Sequence, residues 1–464
     1  MIVGGGVAGL TCALTLRDNG YASSVYEASG RVGGRIFSNT SYWEDDQISE
    51  WCGELIDTGH ATMRRLAERY SLPLDDLRSA EPRLSQDTYI VDGEGYPFAQ
   101  AVADFNEISD FVAADAGAAR YPTLYNSYTA QSVEFDRTSV YDWIESRVPD
   151  GHKAPLGQLL DVAYATEFGA DTKLQSALNI IYMLGSQPTH HGFDMFGFSD
   201  ERFRIRDGNQ RLPEAIAADL GDAVITSHAL VRLVQSAGGR YVCTFARGRG
   251  TVEVTADVVI LAVPFAILAK IDIARAGFDA LKKTAIRELG RAQSSKLQMQ
   301  FRDRVWTEKG SHPFAPTGSS YSNLGCHTSW DATRCQSGTS GILVHYSGGS
   351  ATTAVHTRSP FATAADIGVQ RDVARGLTQL APTFPHLAWN NKATQSLPHR
   401  SPLFGASYSY WKVGQYTHFA GYESVPQGGV YFCGEHTSVD YQGFMEGGAA
   451  SGRETALALV RALN

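Results

Sequence analysis

A chain of 464 residues, 43% of them hydrophobic, is long enough to bury one large core or two interpenetrating ones. Its net charge of −9 argues against nucleic acid and anionic membrane surfaces as partners. No run approaches the ~20 apolar residues that cross a bilayer, and no basic-then-apolar leader opens the chain, so no membrane span and a cytoplasmic location are expected.

The chain opens on an apolar strand, Met1–Val3, and a helical run, Leu10–Asn19. Between them Gly4, Gly6 and Gly9 stand in G-x-G-x-x-G spacing. Glycines there permit a tight turn and bring backbone N–H groups to a pyrophosphate at a helix N-terminus. Only Met1, Ile2 and Val3 precede Gly4, so a trimmed N-terminus is expected. Ala22–Tyr26 reads as the next strand, and Glu27 follows it where a dinucleotide fold places its ribose-binding carboxylate. Strand, glycines, helix, strand and acid in register point to a doubly wound α/β dinucleotide-binding domain. Gly30–Arg35 adds glycines and an arginine near the same pyrophosphate.

Thr58–Tyr70 reads as a helix. Helical patterns then dominate at Ala99–Ala118, Val140–Val148, Leu156–Glu167 and Thr172–Leu184. The α/β pattern returns with a turn at Gly208–Pro213, a helix at Glu214–Leu220 and strands near Ala223–Thr226, Leu230–Gln235 and Tyr241–Phe245. Asp257–Val263, short, apolar and ended by Pro264, reads as a buried parallel strand. Strands at Ser295–Phe301 and Gly341–Ser347 and a helix at Ala364–Leu380 fit an inserted sheet-and-helix region. A strand at Gly429–Cys433 and a helix at Gly448–Leu463 close the chain. Six scattered cysteines without a C-x-x-C pair read as free thiols, although Cys326 and Cys335 are near enough in sequence to pair. His190-His191 has no acidic or cysteine partner at ligand spacing, so no metal is expected.

The second glycine-rich segment, CGEHTSVDYQGFMEGGAASGRETA, spans Cys433–Ala456. With VGGGVAGL at Val3–Leu10 and VYEASGRVGGR at Val25–Arg35, it resembles the flavin-containing amine oxidoreductases over the whole chain. These include monoamine, polyamine and L-amino acid oxidases. The resemblance implies a Rossmann-like FAD-binding domain made of residues 1–79, 204–290 and 425–464. It interleaves with an α+β substrate-binding domain, in which 80–203 is a helical region and 291–424 carries sheet and helices. The cofactor is expected to be held by Gly4, Gly6, Ala8, Gly9, Glu27, Ala28, Gly34 and Arg35. Val231 would meet the adenine through its backbone, and Gly434 and Glu435 the ribityl chain. Gly53, Glu54, Phe444 and Met445 would lie against the ring system. Gln415 stands where some members carry a flavin-linking cysteine, so the FAD should be non-covalent.

Lys296, alternating with Leu297 in a strand, matches the family lysine that holds a water at the flavin's reactive nitrogen; an ordinary surface strand lysine is the alternative. Tyr416 and Phe444 match the two aromatic positions flanking the amine, with Trp411, Tyr410 and Tyr408 extending that wall. The resemblance thus implies hydride transfer from an L-amino acid, giving an imine or 2-oxo acid, ammonia and hydrogen peroxide, with dioxygen as acceptor and a homodimer as the assembly. A mono- or polyamine oxidase stays open, as do a C–C desaturase or quinone-linked dehydrogenase and a non-catalytic flavin-binding subunit. No arginine follows Gly53 closely enough to anchor a carboxylate, and Arg202, Arg204, Arg206 and Arg211 are equal candidates. Glu54 and Asp57 are candidates to meet a second cationic group on the substrate.

Overall fold

The structure is a computed structural model that describes residues 1–187, 193–308 and 315–464. Its first sheet has five parallel strands in the order Val430–Phe432, Val259–Leu261, Ile2–Val3, Val25–Tyr26 and Val224–Ile225. Ile2, Val25, Val259 and Leu261 are completely buried, because helices cover both faces of a parallel sheet. The helix Val7–Asp18 packs on the C-terminal helix Met445–Leu463. A Cβ added to Gly452 would fall 2.1 Å from the Ala8 carbonyl oxygen, so the two backbones meet only because that residue is glycine.

The second sheet has eight strands, in the order Phe361–Thr363, Trp389–Ser396, Ser294–Phe301, Gly341–Gly348, Thr328–Asp331, Pro316–Ser322, Gln86–Val91 and Glu94–Gly95. It is antiparallel except where Pro316–Ser322 meets Gln86–Val91. Every residue of Ser294–Phe301 is buried. The expected alternation holds: Leu297, Met299 and Phe301 pack with Val369, Val373 and Leu380 of the helix Ile367–Leu380. The polar face does not meet water, however. Gln298 donates to the Glu50 carbonyl (3.0 Å) and Gln300 to the Glu44 carbonyl (3.1 Å), so the segment that precedes Gly53 covers that face.

Five helices, Phe98–Ala119, Ala130–Arg137, Val140–Arg147, Pro155–Glu167 and Ala177–Leu184, enclose a core that includes Phe105, Trp143, Leu160 and Ile181. Ala130–Arg137 is not legible as an apolar stripe; Thr129 and Ser132 start it with a capping box. The run Thr172–Leu184 divides into a 3-10 turn, Thr172–Leu174, and a helix that Ser176 caps. Gln86–Val91, in the segment read as helical, is a strand of the large sheet. All six cysteines are free, as expected. Among the described residues no helix is long and apolar enough to cross a membrane, and no cluster of metal ligands occurs; His190 and His191 lie outside them.

Candidate active site

A cavity of about 1210 Å³ runs from the glycine loop after Val3, past Gly53, to the large sheet at Lys296 and Trp330. It opens beyond the carboxyl ends of the parallel strands, where ligands of such sheets bind. A drug-sized ligand needs about 300–1,000 Å³, so a dinucleotide and a small substrate are better matched to this volume. Of the residues expected at the cofactor, Gly4, Gly6, Ala8, Glu27, Ala28, Gly34, Arg35, Gly53, Glu54, Val231, Glu435, Phe444 and Met445 line it. Gly9 and Gly434 do not line it; Gly9 packs against the Gly4 carbonyl of the loop that does.

The glycines divide by role. Gly4 has φ +110°, and a Cβ on Gly9 would fall 2.0 Å from the Gly4 carbonyl oxygen, so these two are required by turn and packing. A Cβ on Gly6 would meet nothing within 4 Å. Gly6 caps the helix Val7–Asp18 and leaves its first N–H groups open to the cavity, a cradle that suits a pyrophosphate. Glu27 is 8% exposed and accepts from Gly5 N (2.7 Å), Ser29 N (2.8 Å) and Ser29 Oγ (2.8 Å). It therefore organises the loop as well as facing the cavity. Glu27→Ala should weaken FAD binding by about 1–3 kcal/mol, measured by fluorescence titration, and unchanged affinity would remove Glu27 from the cofactor's contacts.

Glu435 accepts from Arg35 Nη1 (3.0 Å), Ser409 Oγ (3.2 Å) and Gly443 N (3.0 Å). Burial alone would raise its carboxyl, but the Arg35 guanidinium and these bonds hold it below the usual carboxylate range. Lys296 Nζ donates to Glu54 Oε2 (2.5 Å) and to the Cys52 carbonyl (3.2 Å). Trp330 Nε1 donates to the other Glu54 oxygen (3.3 Å). Burial works to raise the Glu54 carboxyl, yet the charges of Lys296 and Arg204 bring it below its ordinary value. Lys296 is thus no surface lysine.

The same geometry overturns one expectation. Glu54 is neutralised by Lys296, and Asp57 is occupied by Ser199 Oγ (2.8 Å) and Glu201 N (2.8 Å), so neither carboxylate is left for a substrate cation. Nor do Arg202, Arg204, Arg206 and Arg211 line the cavity. Arg202 pairs with Asp76, Arg206 with Asp75 and Arg211 with Asp207, and buried Arg204 donates to the Ala332 carbonyl.

Tyr416, Trp411, Tyr408 and Phe444 line the cavity. Tyr416 lies 5.0 Å from Trp411 between ring centroids, and Asn179 fixes both by accepting from Tyr416 Oη (3.0 Å) and donating to the Trp411 carbonyl (3.0 Å). Phe444 packs edge-on against His60 at 5.3 Å. Tyr410 is not part of the wall; it is buried with Ala170 and Ala292. Gln415 is buried, donates to the Glu288 carbonyl (2.6 Å) and does not line the cavity.

Among the cavity residues that escaped the sequence reading are Asn179, Trp330 and the carboxylates Glu167 and Glu201. Glu167 is half-buried as the last residue of its helix, and Glu201 is exposed, but into the cavity. Burial pushes Glu167 up to about 7, with the Asp57 charge adding to it. The surrounding cavity walls, which withhold bulk water, and then the charges of Glu167 and Asp57 raise the Glu201 carboxyl above its ordinary value although its side chain is exposed to the cavity. The only sequence signal was a carboxylate ending an otherwise uncharged apolar run, Val162–Thr166, before Phe168.

Residues 7–460 match the family described as flavin containing amine oxidoreductase. The chain is 23% identical to the Bacillus subtilis (strain 168) protein named "Putative L-amino-acid oxidase YobN", over 98% of this chain and 93% of that one. It is 23% identical to an L-amino acid dehydrogenase of Synechocystis sp., over 99% of this chain and 94% of that one. The solved structure of cyclohexylamine oxidase from Brevibacterium oxydans IH-35A shares the fold, with a TM-score of 0.82 at 19% identity, covering 100% of this chain and 98% of that chain. With both glycine motifs on one cavity and a family match over nearly its whole length, the chain belongs to the flavin-containing amine oxidoreductases.

Proposed function

We infer that the protein oxidises a primary amine to an imine, which water hydrolyses, with dioxygen as electron acceptor and hydrogen peroxide as product. FAD, the family's cofactor, supplies the hydride acceptor. In this reading residues 1–79, 204–290 and 425–464 bind FAD, and 80–203 with 291–424 build the substrate side. The glycine loop and the first turn of Val7–Asp18 hold the pyrophosphate, Glu27 the ribose, and Gly53 with Met445 the ring system. Tyr416, Phe444 and Trp411 exclude water and align the substrate's C–H bond. Their apolar surroundings also favour the neutral amine, whose lone pair the reaction needs.

One observation carries the choice of an amine over an amino acid. Two cations that line the cavity are already paired, Lys296 with Glu54 and Arg35 with Glu435, and Arg31 is held by the carbonyls of Val32, Gly34 and Ile36, while Glu167 and Glu201 have no ion-pair or hydrogen-bond partner for their side chains among the described residues. Where these carboxyls are ionised a substrate carboxylate would meet repulsion, and where they are neutral it would find no cationic anchor in them. The sequence ranked an L-amino acid first, and the charge of the cavity wall supports the opposite order. Peroxide release from n-butylamine, benzylamine and tyramine, set against L-leucine and L-phenylalanine, tests it: turnover confined to the amines is expected, and turnover confined to the amino acids would overturn it. The amino acid reading keeps one support, the full-length likeness to proteins named for L-amino acid oxidation or dehydrogenation.

A further inference from the structure

We propose that Asn179 is a positioning residue: its single amide sets the tilt of the Tyr416 ring and the place of Trp411, and through them the alignment of the substrate's C–H bond. This rests on the wall role given to Tyr416 above, and it holds for an amine and an amino acid alike. Asn179 stands in the first turn of the helix Ala177–Leu184, which Ser176 caps, and only 2% of it is exposed. It lines the cavity with both aromatic residues, which lie 232 and 237 positions further along the chain.

The chemistry of the partners fixes which way the amide and the phenol point. The Trp411 carbonyl only accepts, so Asn179 Nδ2 must face it (3.0 Å), and Oδ1 must then face Tyr416 (3.0 Å). An amide oxygen also only accepts. The phenol is therefore the donor, and its one proton is committed to Asn179. Burial raises the Tyr416 phenol well above its ordinary value, which keeps that proton in place. Tyr416 is thus a neutral wall held by its hydroxyl, not an acid or a base.

Other residues hold the backbone beneath the same ring. Asp136, completely buried, accepts from Tyr416 N (3.3 Å), Thr417 N (2.8 Å), Thr417 Oγ1 (2.8 Å) and Ser176 Oγ (2.9 Å). The Trp411 carbonyl also accepts from Ser176 N (3.1 Å), a bond that survives loss of the amide. Asp136 and Ser176 therefore fix where the segment runs, and Asn179 holds the side chain. The ring contacts of Tyr416 with Trp411 (5.0 Å, 37°) and Tyr182 (6.1 Å, 77°) carry no directional bond. The second side-chain torsion of a tyrosine has a broad minimum, so the hydroxyl tie decides the tilt. Cutting it should free the ring and leave the segment folded.

The test is a double-mutant cycle on the two half-reactions, using the FAD-loaded wild type, Asn179→Leu, Tyr416→Phe and the double variant. Leucine keeps the branch at Cγ but neither donates nor accepts. Asn179→Ala takes its place if leucine is not accommodated, and flavin absorbance with urea unfolding checks the fold. Stopped flow follows flavin reduction by n-butylamine and, separately, by L-leucine. Asn179→Leu should slow reduction by about ten- to a hundredfold, the cost of misplacing reacting groups by about 1 Å. Reoxidation by dioxygen should change far less, the reverse of the order expected for a group beside the reacting flavin. Tyr416→Phe should slow reduction on its own, yet add little once Asn179 is replaced, because both substitutions cut one bond. Effects that multiply, or equal slowing of both half-reactions, would overturn the proposal and leave Asn179 a packing residue of its helix. Failure of the amine reading looks different: L-leucine reduces the wild-type flavin and n-butylamine does not. The cycle is then read on L-leucine, where non-additivity supports the positioning role and multiplied effects overturn it.

Discussion

Lys296→Met is expected to lose most of its turnover and, unlike an ordinary site variant, a large part of its stability. The lysine and Glu54 side chains are only 6% and 4% exposed and 2.5 Å apart. Removing one partner of a buried pair leaves the other as an uncompensated charge, at a cost of about 3–5 kcal/mol. Urea unfolding of the wild type, Lys296→Met, Glu54→Gln and the double variant measures it, and the double variant should recover much of the loss. The pH dependence carries a sign. In the wild type Glu54 is held below its ordinary value, so it contributes stability that is present above the carboxylate range and lost as pH falls through it. In Lys296→Met the largest influence opposing burial is gone, leaving Arg204 and the Trp330 bond against it, so the value of that carboxyl rises and the deficit should shrink on acidification. The same variant, in stopped flow, should slow reoxidation by dioxygen more than reduction by substrate, since the ammonium is proposed to lie where negative charge develops. Equal, small changes in both half-reactions would leave Lys296 a structural ion-pair partner.

Gly6→Ala and Gly9→Ala, three residues apart in one loop, should fail in different ways. At Gly9 the new methyl would sit 2.0 Å from the Gly4 carbonyl oxygen and 3.2 Å from the Ala262 Cβ, so strand and helix cannot keep their spacing. That variant should be several kcal/mol less stable, or insoluble, whether or not FAD is supplied. At Gly6 the backbone is extended, with φ −74° and ψ 176°, and a methyl meets no protein atom within 4 Å. The Gly6→Ala polypeptide should fold with stability near that of the wild-type apoprotein but bind FAD at least ~10-fold more weakly, because the methyl occupies space proposed for the pyrophosphate. Apoprotein unfolding curves and flavin titration separate the two. Normal FAD affinity in Gly6→Ala would move the pyrophosphate away from this loop.

Much of the fold was legible because its signals are local. The spacing of Gly4, Gly6 and Gly9, the apolar run before Pro264 and the alternation in Ser294–Phe301 each express one backbone geometry, and strands and helices follow within a few residues of the expected ends. The departures have local causes as well. The N-terminal helix begins at Val7 rather than Leu10 because the glycine turn itself caps it, and Gln86–Val91 is a strand only because Pro316–Ser322, distant in sequence, lies beside it.

The site divides along the same line. The sequence by itself determined the parallel sheet's glycine loop, the strand that carries Lys296 and the glycine turn before the last helix, since each depends on residue type and short spacing. Only the tertiary structure decided which charges are spent. It paired Lys296 with Glu54 and Arg35 with Glu435, gave Asp57 to Ser199 and the Glu201 N–H, turned Arg202, Arg206 and Arg211 toward acidic neighbours away from the cavity, and brought Glu167 and Glu201 onto one wall. The physical reason is range: backbone conformation is set by neighbours along the chain, whereas a buried charge is set by whatever the fold brings within a few ångströms of it.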